Sequence, residues 1–198
     1  HITAFCLCDA LEERNYEGAS QVIIISASSK TAIGLAQGLS EKKDTPKIVG
    51  LTSENNIQFV KNLDCYDEVI SYDNLKDIGN ELSVMVDMSG NQSILSSLQK
   101  FLGNKMLKCL TVGMTHWDKS STAEETLAQA ELQERTEFFF APTHIQKRYN
   151  DWGKKGYNEK TTIFMSARAK QSLNWMTIKE ISGLDKFIQT YEEIVLSL

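Results

Sequence analysis

Gln21-Val22-Ile23-Ile24-Ile25-Ser26-Ala27-Ser28-Ser29-Lys30-Thr31-Ala32-Ile33-Gly34 is the stretch that decides the fold. Four β-branched residues in a row, with no polar alternation, read as a strand buried on both faces, which is the habit of parallel sheets. Small hydroxyl residues follow, and then a helical pattern running from Lys30 to about residue 41. A strand passing through a short polar turn directly into a helix is the opening of a βαβ unit.

The same cycle recurs downstream. Pro46–Ser53 (PKIVGLTS) reads as a second buried strand, 54–63 (ENNIQFVKNL) as an amphipathic helix, and 67–73 (DEVISYD) as a short third strand. After a weak helix or turn, 83–90 (SVMVDMSG) gives a fourth strand, 91–104 a helix with Gly103 near its end, and 105–116 (KMLKCLTVGMTH) a fifth. Residues 137–142 (EFFFAP) restore a strand that Pro142 stops, and 143–174 look helical. Upstream, 3–18 has apolar residues at helical spacing. Residues 175–182 (WMTIKEIS) read as a strand and 183–198 as a closing amphipathic helix. The expected fold is therefore α/β: a doubly wound, Rossmann-like parallel sheet of about six strands with helices on both faces. Residues 117–136, polar and poor in apolar side chains, read as a surface insert within a single 1–198 domain.

Composition narrows the function. The 198 residues are 41% hydrophobic and 24% charged, as expected of a globular chain. Twenty-one Lys and Arg against 26 Asp and Glu give a net charge of −5 with no basic cluster, which speaks against nucleic acid as a partner. Cys6, Cys8, Cys65 and Cys109 form neither a C-x-x-C pair nor a disulfide framework, so they read as reduced structural thiols. With His1, His116 and His144 as the only histidines, no metal site is expected. No apolar run approaches a membrane span and no leader opens the chain, so the expected compartment is the cytoplasm. Because the chain begins at His1 and enters a helix at once, an upstream part is expected.

In open α/β sheets ligands bind beyond the carboxyl ends of the strands, which directs attention to loops 26–32, 51–56, 71–74, 87–91, 112–117 and 140–144. In the first, Ser28, Ser29, Lys30 and Thr31 bring hydroxyls and an ammonium to a helix start, as a pyrophosphate site requires. Taking Gly34 as the third glycine of a dinucleotide fingerprint puts Ser28 and Thr31 where the first two would be. Ser29-Lys30-Thr31 mimics G-K-T, but the remaining Walker glycines are absent and that motif is rejected. The plainer reading is that Ser28 or Ser29 only caps the helix. At the tip of the second strand no carboxylate awaits a ribose 2′-OH, whereas Thr52, Ser53 and Asn55 could donate to a 2′-phosphate, favouring NADP over NAD. Here too an ordinary Ser53 cap is the alternative. Ser89 and Gly90 follow strand four and Gly113 and Met114 strand five, where a nicotinamide ribose and carboxamide would lie. His116 is a weak candidate for a general acid, against the plainer reading of a loop histidine.

TAFCLCDAL (3–11), SASSKTA (26–32), VGMTHWD (112–118) and FFFAPTHIQKRYNDWG (138–153) together resemble a branch of the medium-chain dehydrogenase/reductase superfamily, quinone-oxidoreductase-like and grouped as a domain of unknown function. The resemblance covers nearly the whole chain. It implies an NADP-binding domain with Ser28, Ser29, Lys30 and Thr31 at the pyrophosphate, Thr52 and Ser53 at the adenosine ribose, and Gly113, Met114 and Phe140 near the nicotinamide. It also implies an upstream GroES-like catalytic domain, a small-molecule substrate and zinc-independent chemistry, with homodimer formation left open. Of the A-x-x-G-x-x-G pattern only Gly34 is present. Two classes of function follow: an NADPH-dependent reductase of a quinone, activated alkene or carbonyl, or a non-catalytic Rossmann module, a nucleotide sensor or interaction domain, that has lost its glycine loop.

Overall fold

The computed structural model describes residues 1–113 and 134–196. Met114, His116 and most of the expected 117–136 insert lie outside them. Two compact units divide the chain, 1–168 and 169–198.

The larger unit opens with helix α1 (Ile2–Glu13) and continues through β1 (Gln21–Ile25), α2 (Lys30–Ser40), β2 (Lys47–Thr52), α3 (Ile57–Lys61), β3 (Glu68–Ser71), β4 (Ser83–Asp87), α4 (Gln92–Leu102), β5 (Met106–Val112), β6 (Thr136–Phe139) and α5 (Ala141–Ser172), whose end belongs to the second unit. The six strands form one sheet in the order β3-β2-β1-β4-β5-β6, and every pairing is parallel. This is the doubly wound order, in which the chain works outward from β1 on one side and then returns to continue on the other. The expected fold holds.

Alternation along the strands sorts the core into two. Val22, Ile24, Val84, Val86 and Leu110 pack on one face with residues of α1 and α2 and with Phe139 and Tyr157. Ile23, Ile25, Val49, Leu51, Met85 and Cys109 pack on the other with Leu95, Leu98 and Leu102 of α4. All five residues of β1 are buried, which accounts for the unbroken apolar run in the sequence.

Missing side chains let elements approach closely at two places. Along α2, a methyl at Gly34 would meet Ala4 at 3.2 Å, and one at Gly38 would meet Cys8 Sγ at 2.7 Å and the Phe164 ring at 2.6 Å, so this glycine edge is where α1 and α5 press in. Gly34 is thus a helix-packing residue, a role that the third glycine of a dinucleotide fingerprint also has. In β2, a methyl at Gly50 would stand 2.8 Å from the Tyr66 ring and 3.0 Å from Ala27 Cβ.

Other expectations are corrected by backbone chemistry. The 54–63 helix is split into a 3₁₀ turn, Glu54–Asn56, and the short α3. Pro142 stops no strand; it sits in the first turn of α5, where its missing N–H is no loss. That helix breaks at Gly153, whose φ of 70° and ψ of 164° are not helical. In the smaller unit, 175–182 forms no strand, because a strand needs a sheet edge on which to pair. Helix α6 (Leu184–Leu196) closes the chain as expected, with Leu184, Phe187, Ile188 and Tyr191 exposed on it. Among the described residues no helix is long and apolar enough to cross a membrane.

All four cysteines are free and buried. Burial pushes the thiol of Cys6 up to about 11 and those of Cys8, Cys65 and Cys109 up to about 12. Unfolded thiols give up their protons near the ordinary value of 9.0 while the folded ones hold theirs, so the unfolded state gains ground between the two values.

Two outcomes are expected. Gly50→Val should lower unfolding free energy by about 1–3 kcal/mol in urea titrations through overpacking against Tyr66. Stability should fall as pH rises from about 9 toward 12, and a thiol reagent at mildly alkaline pH should label the native chain far more slowly than the denatured one.

Candidate functional site

The point where the strand order reverses lies between β1 and β4, whose last residues Ile25 and Asp87 are register partners. A crevice outside that pair is where a doubly wound sheet takes its ligand. The loop after β1 is built tightly. Ser26 takes a left-handed φ of 68°, a conformation that ordinarily belongs to glycine. Ala27 N–H donates to Leu51 C=O at 2.8 Å and Ser29 N–H to Ser26 C=O at 2.9 Å, which fastens the turn to β2 and to itself.

Two phenols brace the same loop. Tyr72 OH accepts the Ser26 N–H at 3.0 Å, and Tyr66 OH donates to the Ala27 C=O at 2.9 Å. Burial pushes both phenols up, with the charge of Asp87 adding to the effect at Tyr72, so both remain protonated across the ordinary pH range. Neither tyrosine stands out in the sequence, because each reaches the loop from a segment about 40 residues further along: the separations are 39 and 46.

The expected anion residues separate into different tasks. Ser29 caps α2, its Oγ accepting from Ala32 N–H at 3.3 Å. Lys30 and Thr31 are the first two residues of that helix, and helix geometry leaves their N–H groups without an intrahelical acceptor. Lys30 is exposed. Ser28 turns toward β2 instead, where its Oγ receives Thr52 Oγ1 at 3.4 Å and Asn56 Nδ2 at 3.3 Å. Asn56 also donates to Ser53 Oγ at 3.0 Å. Ser28, Thr52, Ser53 and Asn56 thus make one hydroxyl and amide cluster spanning the β1 and β2 loops. Asn55 is exposed and takes no part; the amide that matters is its neighbour's. The 3₁₀ turn after β2 produces this one-residue shift.

On the β4 side, Asp87 is fully buried. Its Oδ1 accepts the Ser89 N–H at 2.9 Å and the Ser89 hydroxyl at 2.7 Å, while Oδ2 has no hydrogen-bond partner among the described residues. A carboxylate oxygen left so at a strand end is a group that a bound hydroxyl would satisfy. Gly90 turns the chain at a φ of 65°, and Asn91 caps α4 by accepting from the N–H groups of Ser93 and Ile94 at 3.0 and 3.3 Å. Gly113 is exposed at the end of β5 with a φ of 78°; Met114 and His116 lie outside the described residues. Phe140 is 55% exposed and stacks on Phe138 with centroids 6.2 Å apart.

Residues 1–197 match the family described as "Protein of unknown function (DUF2855)". The chain belongs to the DUF2855 family. Among curated proteins no match is found. Among solved structures, this DUF2855 chain is similar in fold to a Mesorhizobium loti protein provisionally assigned as an NADPH:quinone reductase, at 15% identity and a TM-score of 0.56, over 90% of this chain and 50% of that one. AibC is matched at 14% identity and a TM-score of 0.43, over 81% of this chain and 49% of that one. The DUF2855 chain spans about half the length of the solved structures it matches.

Tyr72→Phe deprives the Ser26 N–H of its acceptor, and the unmet donor should lower stability by about 1–3 kcal/mol in chemical denaturation. The overall fold, followed by circular dichroism, should be retained.

Proposed function

We propose that this chain is the NADP-binding portion of a zinc-independent reductase of the medium-chain kind, acting on a small quinone, activated alkene or carbonyl compound with an upstream GroES-like domain closing the other side of the cleft. The observation that carries the reading is the β1/β4 junction, where a hydroxyl-rich loop and a capped helix start stand beside a buried carboxylate. When bound, NADPH supplies the hydride, and the protein supplies binding and orientation.

The residues present fit such a group in three places. The N–H groups of Lys30 and Thr31, with the Lys30 ammonium, offer donors to a pyrophosphate. The Ser28, Thr52, Ser53 and Asn56 cluster offers neutral donors, and no carboxylate, to a ribose phosphate. Asp87 Oδ2 offers an acceptor for a ribose hydroxyl. The likeness in fold to an assigned NADPH:quinone reductase supports the same cofactor.

A second reading, the non-catalytic Rossmann module, is favoured by the hydrogen bond from Ser26 N–H to Tyr72 OH, which occupies from within a backbone donor that a glycine loop would turn to a phosphate.

One experiment separates them. At 100 times its dissociation constant, NADPH should raise unfolding free energy by roughly 2.7 kcal/mol, NADH should do less at equal concentration, and Lys30→Ala should weaken NADPH several-fold without lowering the stability of the free protein. Absence of any shift with either dinucleotide would overturn the cofactor reading and leave the interaction-domain form of the second one, while a shift without NADPH oxidation by the longer chain would point to its nucleotide-sensor form.

A further inference from the structure

A groove of about 410 Å³ runs between the end of α1, strand β6 and the start of α5, apart from the β1/β4 crevice. Phe138, Phe139 and Phe140 are among the residues that line it, Phe138 and Phe140 exposed and stacked on each other and Phe139 reaching in from the core. Its charged groups are already spoken for: Arg14 forks onto Glu137 with two bonds of 2.9 Å, and Lys147 holds both oxygens of Glu13 at 2.6 Å. Two cations and two anions cancel, so the groove has no net attraction for a charged ligand.

His144 also lines the groove, and its position differs from theirs. Its side chain is 8% exposed, and Nε2 lies 2.6 Å from Asp9 Oδ2. Burial pushes the Asp9 carboxyl up, but the hydrogen bonds from His144 and Arg148 outweigh it and hold the carboxyl below its ordinary range. Asp9 is therefore an acceptor only, and the His144 nitrogen facing it carries the proton. The other nitrogen, Nδ1, is then a bare acceptor in the neutral ring, and among the described residues it has no hydrogen-bond partner. Asp9 fixes both the tautomer and the tilt of the ring, while α1 and α5 are themselves held in register by the Arg148 bonds to Asp9 and Glu13, the same guanidinium being steadied within α5 by Asp151.

An apolar-sided groove with one oriented acceptor is a small-molecule site by its construction, since such sites pair mostly apolar linings with a few fixed polar groups. We propose that this groove binds a neutral aromatic ring bearing one hydroxyl donor, a phenol, whose O–H donates to His144 Nδ1 while its ring lies against the phenylalanines of β6. Ring-on-ring contact favours an aromatic over an aliphatic body. A carboxylate would find Arg14 and Lys147 engaged and an acceptor where it needs a donor. The groove's one residue shared with the dinucleotide reading is Phe140, which the family resemblance puts near the nicotinamide, so binding is tested with NADPH both present and absent.

The test uses the 198-residue chain with isotope-labelled histidine nitrogens, the three histidines being distinguished by replacing His1 and His116 in turn. p-Cresol, with NADPH present or absent, should move the Nδ1 resonance of His144 saturably, and p-methylanisole, the same ring without the donor, should bind roughly tenfold more weakly, the worth of about one hydrogen bond. His144→Phe, which keeps an aromatic ring in place, should abolish the preference between the two. No saturable shift of His144 Nδ1 in the unaltered protein would overturn the proposal, and so would equal affinities for cresol and methylanisole. A preference that survives in His144→Phe would do the same.

Discussion

Burial of β1 on both faces is the constraint from which the larger unit follows. A strand with no wet face must be flanked by paired strands on both sides and covered by helices above and below. Residues Gln21–Ile25 satisfy this by pairing with β2 on one edge and β4 on the other. Because β1 leads into α2 with only Ser26 to Ser29 between, the loop that starts the helix is pinned at the centre of the sheet's carboxyl edge. The position of the crevice is a consequence of that pinning and needs no separate specification.

What the chain made legible in advance was what period and local chemistry can carry. An uninterrupted apolar run marked β1, shorter apolar-rich stretches marked β2, β4 and β5, and the strand and helix alternation implied their parallel order. Ser29 as a cap was readable because it depends on a spacing of three residues, whereas the joining of Ser28 to Thr52 and Asn56, 24 and 28 residues on, was not. Nor were Tyr66, Tyr72 and the Asp9–His144 pair, since their partners lie 39, 46 and 135 residues away and nothing local announces the pairing. Asp87 was a visible signal left unused: a carboxylate closing an otherwise apolar strand is costly to bury without a purpose. The 175–182 segment misled because Trp175, Thr177, Ile178 and Ile181 are residues that favour a strand only where a neighbouring strand exists to complete it.

The two sides of the β1/β4 crevice are built on different principles. On the β2 side, neutral hydroxyls and an amide satisfy one another across loops, so the cluster holds its shape whether or not anything binds. On the β4 side, a single carboxylate is half satisfied by Ser89 and keeps one oxygen in reserve. The first arrangement positions; the second invites. A binding event at such a junction gains most where an existing group lacks a partner, because removing an unmet polar atom adds to whatever the new contact provides.

Gly50, Tyr66 and Ala27 carry a consequence for how relatives of this chain can differ. The absent side chain at 50 makes room for the Tyr66 ring, and the small one at 27 lets the ring's hydroxyl reach the loop carbonyl. A larger residue at 50 is tolerable only if position 66 gives up its ring, and it then presses on position 27, 3.0 Å away, which must stay small. Across a lineage, these three sites should drift as a single coupled character, with intermediates bearing one change alone seldom retained.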